Sequence, residues 1–533
     1  MYNNYTPLQQ RQLALQEYSN TQSTYLLVCA PARSTALKAT LTDQLHRKFR
    51  LVDRLGGELT ASVDGVLLAA EDVELMSTAL MFFAKALQDG ADYAVCNAVF
   101  GFGGATALYQ SQPLQAQNRC AVVSRTLLER CRAAAHDPEN VPELLALAAQ
   151  LCTSPALIPQ ALLHYERGIC AEDAFSAHGK RAFIMSHVLD MTGAPIVLVS
   201  AVPVLRSMGY EVLVLGPSDG GSLQLFLDAG ASVITRSSCR NVSDAWGMAL
   251  CADLVIANTV VMARAVRALS GTAVPVLWWL HDAFAGYPHI AHQIPTQLGE
   301  NVRVYSVGSH AANAMRAVRP EFEIRPLIYG LPDYAAENFV RTDLGYNRGR
   351  PLFATVGSFE RRKGHDIFCK AIRLLPPEVR EKASFLFVGQ AADKEMMDSV
   401  RALTADYPEN VYYCKRLTRD EIKSLMEQCT GLVCASRDDP MPTFVTEGLI
   451  FGKPSIVSEH TGTAGLISEG RNGFVYHNDD PQQLAVLLEH AIEHPEELAS
   501  MRTECRKMYE QYYSKEAFEQ TLRAAVEDLT AKK

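Results

Sequence analysis

The chain has 533 residues, 48% hydrophobic and 20% charged, with 59 acidic and 50 basic residues and a formal net charge of −9. This length exceeds one ordinary core, so two to four globular domains are expected, and the acidic balance argues against a nucleic-acid binder, which would carry a basic stripe. The thirteen scattered cysteines form no C-x-x-C pair and no Cys/His cluster at zinc spacing, which points to reduced thiols. The opening MYNNYTPLQQRQ is polar rather than basic then apolar, and no uncharged apolar run reaches membrane-spanning length. The expected setting is therefore cytoplasmic, with any membrane contact peripheral.

Residues 1 to 175 read as an α/β segment after a polar tail. Strands are expected at Tyr25–Cys29, Asp64–Leu68 and Tyr93–Cys96, with helical spacing from Leu75 to Leu87. Glu71 and Asp72 follow one strand; as bare residues they fit first-turn helix acids. Residues 176 to 340 continue the alternation. Phe183–Met185, Tyr210–Leu215, Ser232–Thr235, Ala252–Ala257 and Pro275–Leu280 are short apolar runs separated by helical spacing, which predicts a doubly wound parallel sheet. Ligands in such sheets bind beyond the carboxyl ends of the strands. Two features lie at such ends. Gly193, in SHVLDMTGAP, offers close backbone approach, although taken alone it reads first as an ordinary strand-to-helix turn, and His281 with Asp282 directly follows the strand VLWWL.

Residues 341 to 533 carry the densest set of motifs. The polar run up to Arg350 reads as a linker. The strand Leu352–Val356 ends at Gly357, and the basic loop Ser358-Phe-Glu-Arg-Arg-Lys-Gly364 then enters a helix from His365. A strand, a glycine and a basic loop before a helix suit an anion, with Arg362 as a forked donor and Lys363 as a point charge. The strand Phe385–Val388 ends at Gly389. Gly431–Ala435 leads through a loop to a helix starting at Thr443, which stops at Gly452-Lys-Pro454 before the strand Ser455–Ser458. Asp439 in the loop and Glu447 in the helix have seven residues between them. The helix start offers the backbone amides of Thr443 and Phe444 to a diphosphate, and Glu447 can accept hydrogen bonds from a ribose diol.

The order of these parts resembles the retaining glycosyltransferases of family four, whose fold is GT-B: two facing doubly wound Rossmann-like domains. The stretch from Ser436 to Ser458 resembles their carboxylate-x7-carboxylate motif, with Asp439 where the family usually has glutamate. The resemblance implies that Glu447 holds the ribose of a nucleotide sugar and that Asp439 and His281 contact the donor sugar. It also implies that Lys363 grips the leaving diphosphate, with Gly193, Gly357 and Gly389 lining the donor site. The family's loop arginine falls on Ser358, leaving Arg362 or Arg361 to compensate. In such relatives no metal cofactor and no dedicated protein base are used, and the last helix crosses back onto the first half. Residues 1–175 resemble a reduced family-two, GT-A-like glycosyltransferase domain. Glu71 and Asp72 stand near its Asp-x-Asp pair, but Ala69 replaces the first acid, so a non-catalytic scaffold or acceptor-binding module is implied.

The resulting expectation is an α/β chain with a reduced GT-A-like domain (1–175), a GT-B N-terminal domain (176–340) and a nucleotide-sugar-binding C-terminal domain (341–533). Its expected activity is metal-independent, retaining transfer of a sugar from a nucleotide donor to a glycan, lipid-linked or protein acceptor, in bacterial surface-glycan or glycoconjugate synthesis. A non-catalytic nucleotide-sugar- or glycan-binding partner of another transferase and a GT-B nucleotide-sugar epimerase are the alternatives.

Overall fold

The computed structural model describes residues 23–531 except for 30–34, 42–43, 45, 47, 53, 56–61, 71–72, 77, 103–105, 111–119, 167–178, 219 and 237–247. The expected acids Glu71 and Asp72 fall outside the described residues. The chain groups into two compact units, Met1–Val255 and Ile256–Lys533.

The first unit contains β1 (Leu26–Cys29), β2 (Phe49–Val52), β3 (Gly65–Ala69), β4 (Glu74–Leu75), β5 (Tyr93–Phe102), β6 (Thr106–Gln110), β7 (Cys120–Ser124), β8 (Pro155–Glu166), β9 (Lys180–Met185), β10 (Tyr210–Gly216) and β11 (Ser232–Arg236). β1 pairs in parallel with both β2 and β3, while β7 runs antiparallel to β3 and to β5. β9, β10 and β11 are mutually parallel. The two groups share one sheet, because β6 pairs antiparallel with β5 on one side and with β11 on the other. β3 is buried along its whole length and β9 over its last four residues, as the apolar runs GVLLA and AFIM require of strands covered on both faces.

The chain passes into the second unit within β12 (Leu254–Asn258), followed by β13 (Val276–Leu280), β14 (Val302–Ser306) and β15 (Ile324–Pro326). β13, β14 and β15 pair in parallel. The adjacent tryptophans of β13 point to opposite faces, and both are fully buried. Each indole N–H finds a carbonyl, Trp278 that of Thr259 at 2.8 Å and Trp279 that of Leu327 at 2.9 Å, as buried indoles generally must. Phe518, in helix Lys515–Thr530, stacks on Trp279 with ring centroids 5.7 Å apart, so the last helix lies over β13.

The remaining strands, β16 (Leu352–Val356), β17 (Ser384–Val388), β18 (Val411–Cys414), β19 (Gly431–Cys434), β20 (Ser455–Ser458) and β21 (Gly473–Tyr476), form a wholly parallel sheet in the order β18-β17-β16-β19-β20-β21. Counted along this half, that is the 3-2-1-4-5-6 order of a dinucleotide-type fold, with its topological switch point between β16 and β19. The loops after those two strands are the ones that carry Lys363 and Asp439.

The segment read as a linker is tied down. Thr342 N donates to Ser424 Oγ at 3.0 Å, Gln428 Nε2 to Thr342 O at 2.6 Å and Lys423 Nζ to Glu337 at 2.7 Å. Residues 337–344 thus run as a strap along helix Arg419–Gln428, whose polar side chains satisfy the strap's backbone.

Candidate functional site

The two loops at the switch point are built against each other. Gly364 has φ +65° and initiates helix His365–Leu374; a Cβ there would overlap the carbonyl oxygen of Ala435, which follows β19. Only glycine adopts this backbone freely at so close an approach. The carbonyl of Arg362 accepts from Arg437 N at 2.7 Å. With the backbones locked together, Lys363 Nζ reaches Asp439 Oδ2 at 2.6 Å. Asp439 is 3% exposed and its other oxygen accepts from Met441 N at 3.2 Å. A lysine ammonium has three donor hydrogens, so this pair leaves others for a ligand.

Four residues beyond Asp439, helix Thr443–Ile450 begins at Pro442 with no side-chain cap. Its first-turn amides, those of Thr443 and Phe444 among them, therefore need a ligand or solvent. Tyr329 OH lies 3.3 Å from Thr443 Oγ1. Glu447 follows one turn later, buried, and its Oε1 accepts from Arg419 Nη1 at 2.6 Å. Arg419 also lies 4.1 Å over the ring of Tyr334. The structure thus brings together Lys363, Asp439, Thr443, Phe444 and Glu447 around the β16/β19 switch point.

Other expected residues stand differently. Gly357 and Gly389 end neighbouring strands, and a Cβ on Gly389 would overlap the carbonyl oxygen of Gly357. Ser358 Oγ donates to Glu360 at 2.7 Å, and Arg362 pairs with the same carboxylate at 2.9 Å, so Arg362 is directed to Glu360. Gly193 opens helix Gly193–Ser207 in the first unit, where a Cβ would meet nothing within 4 Å; no steric demand for glycine operates there. His281 packs on Trp279 with ring centroids 4.7 Å apart. Asp282 Oδ2 accepts from Val260 N at 2.6 Å, and burial pushes its carboxyl up to about 6 against the opposing effect of the backbone amides.

Residues not anticipated from the sequence include Arg419, Arg437, Asp438 and His310. Arg437 makes a two-pronged pair with Asp366, at 2.8 Å for both contacts. Asp438 Oδ1 lies 2.7 Å from His310 Nε2. Burial works to raise the Asp438 carboxyl, but His310 and the amide of Ala285 hold it below the ordinary value. One sequence signal was available for Arg419, because the Thr418-x-x-Glu421 capping box fixes it as the first residue of its helix.

A cavity of about 450 Å³ lies at the other end of helix Thr443–Ile450, where Lys453, Arg502 and Arg506 help line it. Lys453 and Arg506 are already bonded to backbone carbonyls there. Among the described residues no group of three or more His, Cys, Asp or Glu could hold a metal ion, and no helix is long and apolar enough to cross a membrane.

Comparison with known proteins gives the class. The solved structure of Anabaena Alr3699/HepE in complex with UDP superposes with a TM-score of 0.53 at 18% identity, covering 66% of this chain and all of that one. A second structure of that protein, with UDP-glucose, gives 0.52 at 16% identity over the same 66%. The fold is the α/β GT-B fold of glycosyltransferases.

Residues 178–318 match the model of glycosyl-transferase family 4, and residues 337–508 that of glycosyl transferases group 1, together more than half of the chain. Those two stretches are thus matched as glycosyltransferase domains of family 4 and group 1. It is 25% identical over 194 residues to the uncharacterized glycosyltransferase MJ1178 of Methanocaldococcus jannaschii, covering 36% of this chain and 53% of that protein. It is 26% identical over 160 residues to spore coat protein SA of Bacillus subtilis, covering 28% and 41%. The chain thus spans about half the length of the curated relatives it matches.

Proposed function

We propose that this protein transfers a sugar from a nucleoside diphosphate sugar to an acceptor hydroxyl with retention of configuration and without a metal ion. The observation that carries the reading is the Lys363–Asp439 pair, 2.6 Å long, beside the uncapped start of the helix that bears Glu447. Negative charge builds on the leaving diphosphate in such a transfer. Lys363 and the amides of Thr443 and Phe444 are fixed donors for that charge, each worth about 3–4 kcal/mol when removed. Glu447 keeps Oε2 for the ribose hydroxyls while Arg419 holds Oε1, and Asp439 with His281 orients the sugar. UDP is the first nucleotide to test, because the HepE structures hold UDP and UDP-glucose.

In this reading residues 1–175 are a reduced GT-A-like scaffold without catalysis of its own. The role lies in bacterial surface-glycan or glycoconjugate synthesis, with the protein acting in the cytoplasm or at the inner membrane face. A second reading, a non-catalytic nucleotide-sugar-binding partner, is favoured by Glu360, which draws both Ser358 and Arg362 to itself at the loop where the family presents an arginine.

The test measures donor hydrolysis and transfer in EDTA for the wild type, Lys363→Ala and Glu447→Ala, beside calorimetry with UDP, GDP and ADP. Turnover that falls about 100-fold or more in both variants supports the transferase; full activity in both removes the site. Nucleotide binding without turnover of any donor selects the partner reading, and isomerisation of the donor alone, followed by NMR, selects an epimerase.

A further inference from the structure

Three consecutive residues after β19 anchor three different parts of the second unit. Arg437 holds Asp366 and Asp479, and Asp439 holds Lys363. Asp438, between them, reaches the other way. Its Oδ1 accepts from Phe284 N at 3.1 Å and meets His310 Nε2 at 2.7 Å, while its Oδ2 accepts from Ala285 N at 2.9 Å.

Phe284 and Ala285 lie in the short 3₁₀ turn Phe284–Gly286 that follows His281, and His310 is in helix Ser309–Arg316. The side chains of His310 and Asp438 are 4% and 15% exposed, so the pair is largely shielded from water. Phe284 and His460 flank the imidazole with ring centroids at 5.1 and 5.5 Å. Gly308, just before the helix, sits so near Gly462 that a Cβ would stand 3.1 Å from the Gly462 carbonyl oxygen and 2.8 Å from Met441 Cε. The helix start and the loop after β20 therefore have little room to slide past one another. An ionised carboxylate is acceptor-only and can take all three donors on two oxygens; an amide in its place would turn one acceptor into a donor facing an N–H.

We infer that Asp438 is a positioning residue for the proposed transfer, fixing the turn after His281 against the Asp439–Lys363 pair without itself touching substrate. The inference rests on the proposed function for its kinetic consequence but not for its structural one. The sugar-orienting histidine and the diphosphate-gripping lysine belong to segments far apart in sequence, and adjacent carboxylates of one loop hold the lysine itself and the turn that follows the histidine. A misplacement of about 1 Å between them would cost up to about 100-fold in rate.

The experiment compares the wild type with Asp438→Asn and with His310→Gln, which keeps an N–H donor. Amide hydrogen exchange of residues 283–287 is followed by mass spectrometry, UDP, GDP and ADP affinities by calorimetry, and kcat and KM for donor hydrolysis separately. The expected result for Asp438→Asn is faster exchange at Phe284 and Ala285, nucleotide affinity changed less than about threefold, and kcat lowered about 10- to 100-fold at little-changed KM. His310→Gln should lie between the variant and the wild type. Unchanged exchange in Asp438→Asn overturns the inference, as does accelerated exchange with full kcat. A wild type that binds none of the three nucleotides removes the transferase reading instead, and exchange then decides alone whether Asp438 holds the turn.

Discussion

At Glu447 one carboxylate oxygen already accepts from Arg419, and that guanidinium stands 4.1 Å over the ring of Tyr334. Removing Arg419 strips a buried carboxylate of its cation. Because Arg419 is itself 47% exposed, the pair is partly screened and contributes on the order of 1 kcal/mol. Arg419→Ala should weaken nucleoside diphosphate binding about tenfold by calorimetry. Arg419→Lys should not restore it, since an ammonium cannot both stack and fork; full affinity in either variant would show that Arg419 does not orient Glu447. Asp282 offers a pH signature. Its folded-state carboxyl titrates near 6 against an ordinary 3.8, so the native state binds its proton more tightly. The stability this provides is complete below about pH 4 and is lost as pH rises through 6. Asp282→Asn imitates the protonated form and keeps an acceptor for Val260 N. Its melting temperature should match the wild type at pH 4 and exceed it at pH 7, and a constant offset across that range would contradict the assignment. Lys363, Asp439 and Glu447 were legible in the sequence because each sits at a fixed step from a strand end or helix start. The reach of Asp438 to Phe284 and Ala285 and of Arg419 to Glu447 was not, because a side chain crossing the fold leaves no trace in local spacing; the capping box marks Arg419 only as a helix start.

Among the elements, the turn Arg361–Gly364 depends most on a single residue. Gly364→Ala imposes a left-handed backbone on a residue with a Cβ and drives that Cβ into the carbonyl oxygen of Ala435. A loss of at least about 2 kcal/mol in denaturant unfolding is expected, and a loss below about 0.5 kcal/mol would mean that the two loops part easily. Most strands of the second unit were readable as short apolar runs; Ser455–Ser458 coincides with its expected bounds. β14 and β15 were not anticipated, because VRVYS alternates charge with apolar residues and IRP is only three residues long. The polar run read as a linker is held in place, because the backbones of Thr342 and Leu344 pair with Ser424 and Gln428. A hinge within 337–344 would have to break those bonds.

For the whole molecule, the alternation of strands and helices was enough to reach the α/β class, and motif order to reach GT-B. What the order could not reveal is how the first 175 residues join the rest, since strand partners are a property of the sheet and not of the sequence between them. β6 lies along β11 in antiparallel register, Thr106 opposite Arg236 and Tyr109 opposite Val233. The region that matches the family models begins at residue 178, yet the rim of its sheet is covered by a strand that precedes it. A version starting at residue 176 would leave β11 with open backbone donors and acceptors. It should elute as oligomers in size-exclusion chromatography with light scattering, whereas a monodisperse monomer would show that β11 tolerates an open edge. Excising the leading portion to obtain a minimal catalyst would therefore unzip a seam, and the natural place to divide this protein lies elsewhere than at the join between its two resemblances.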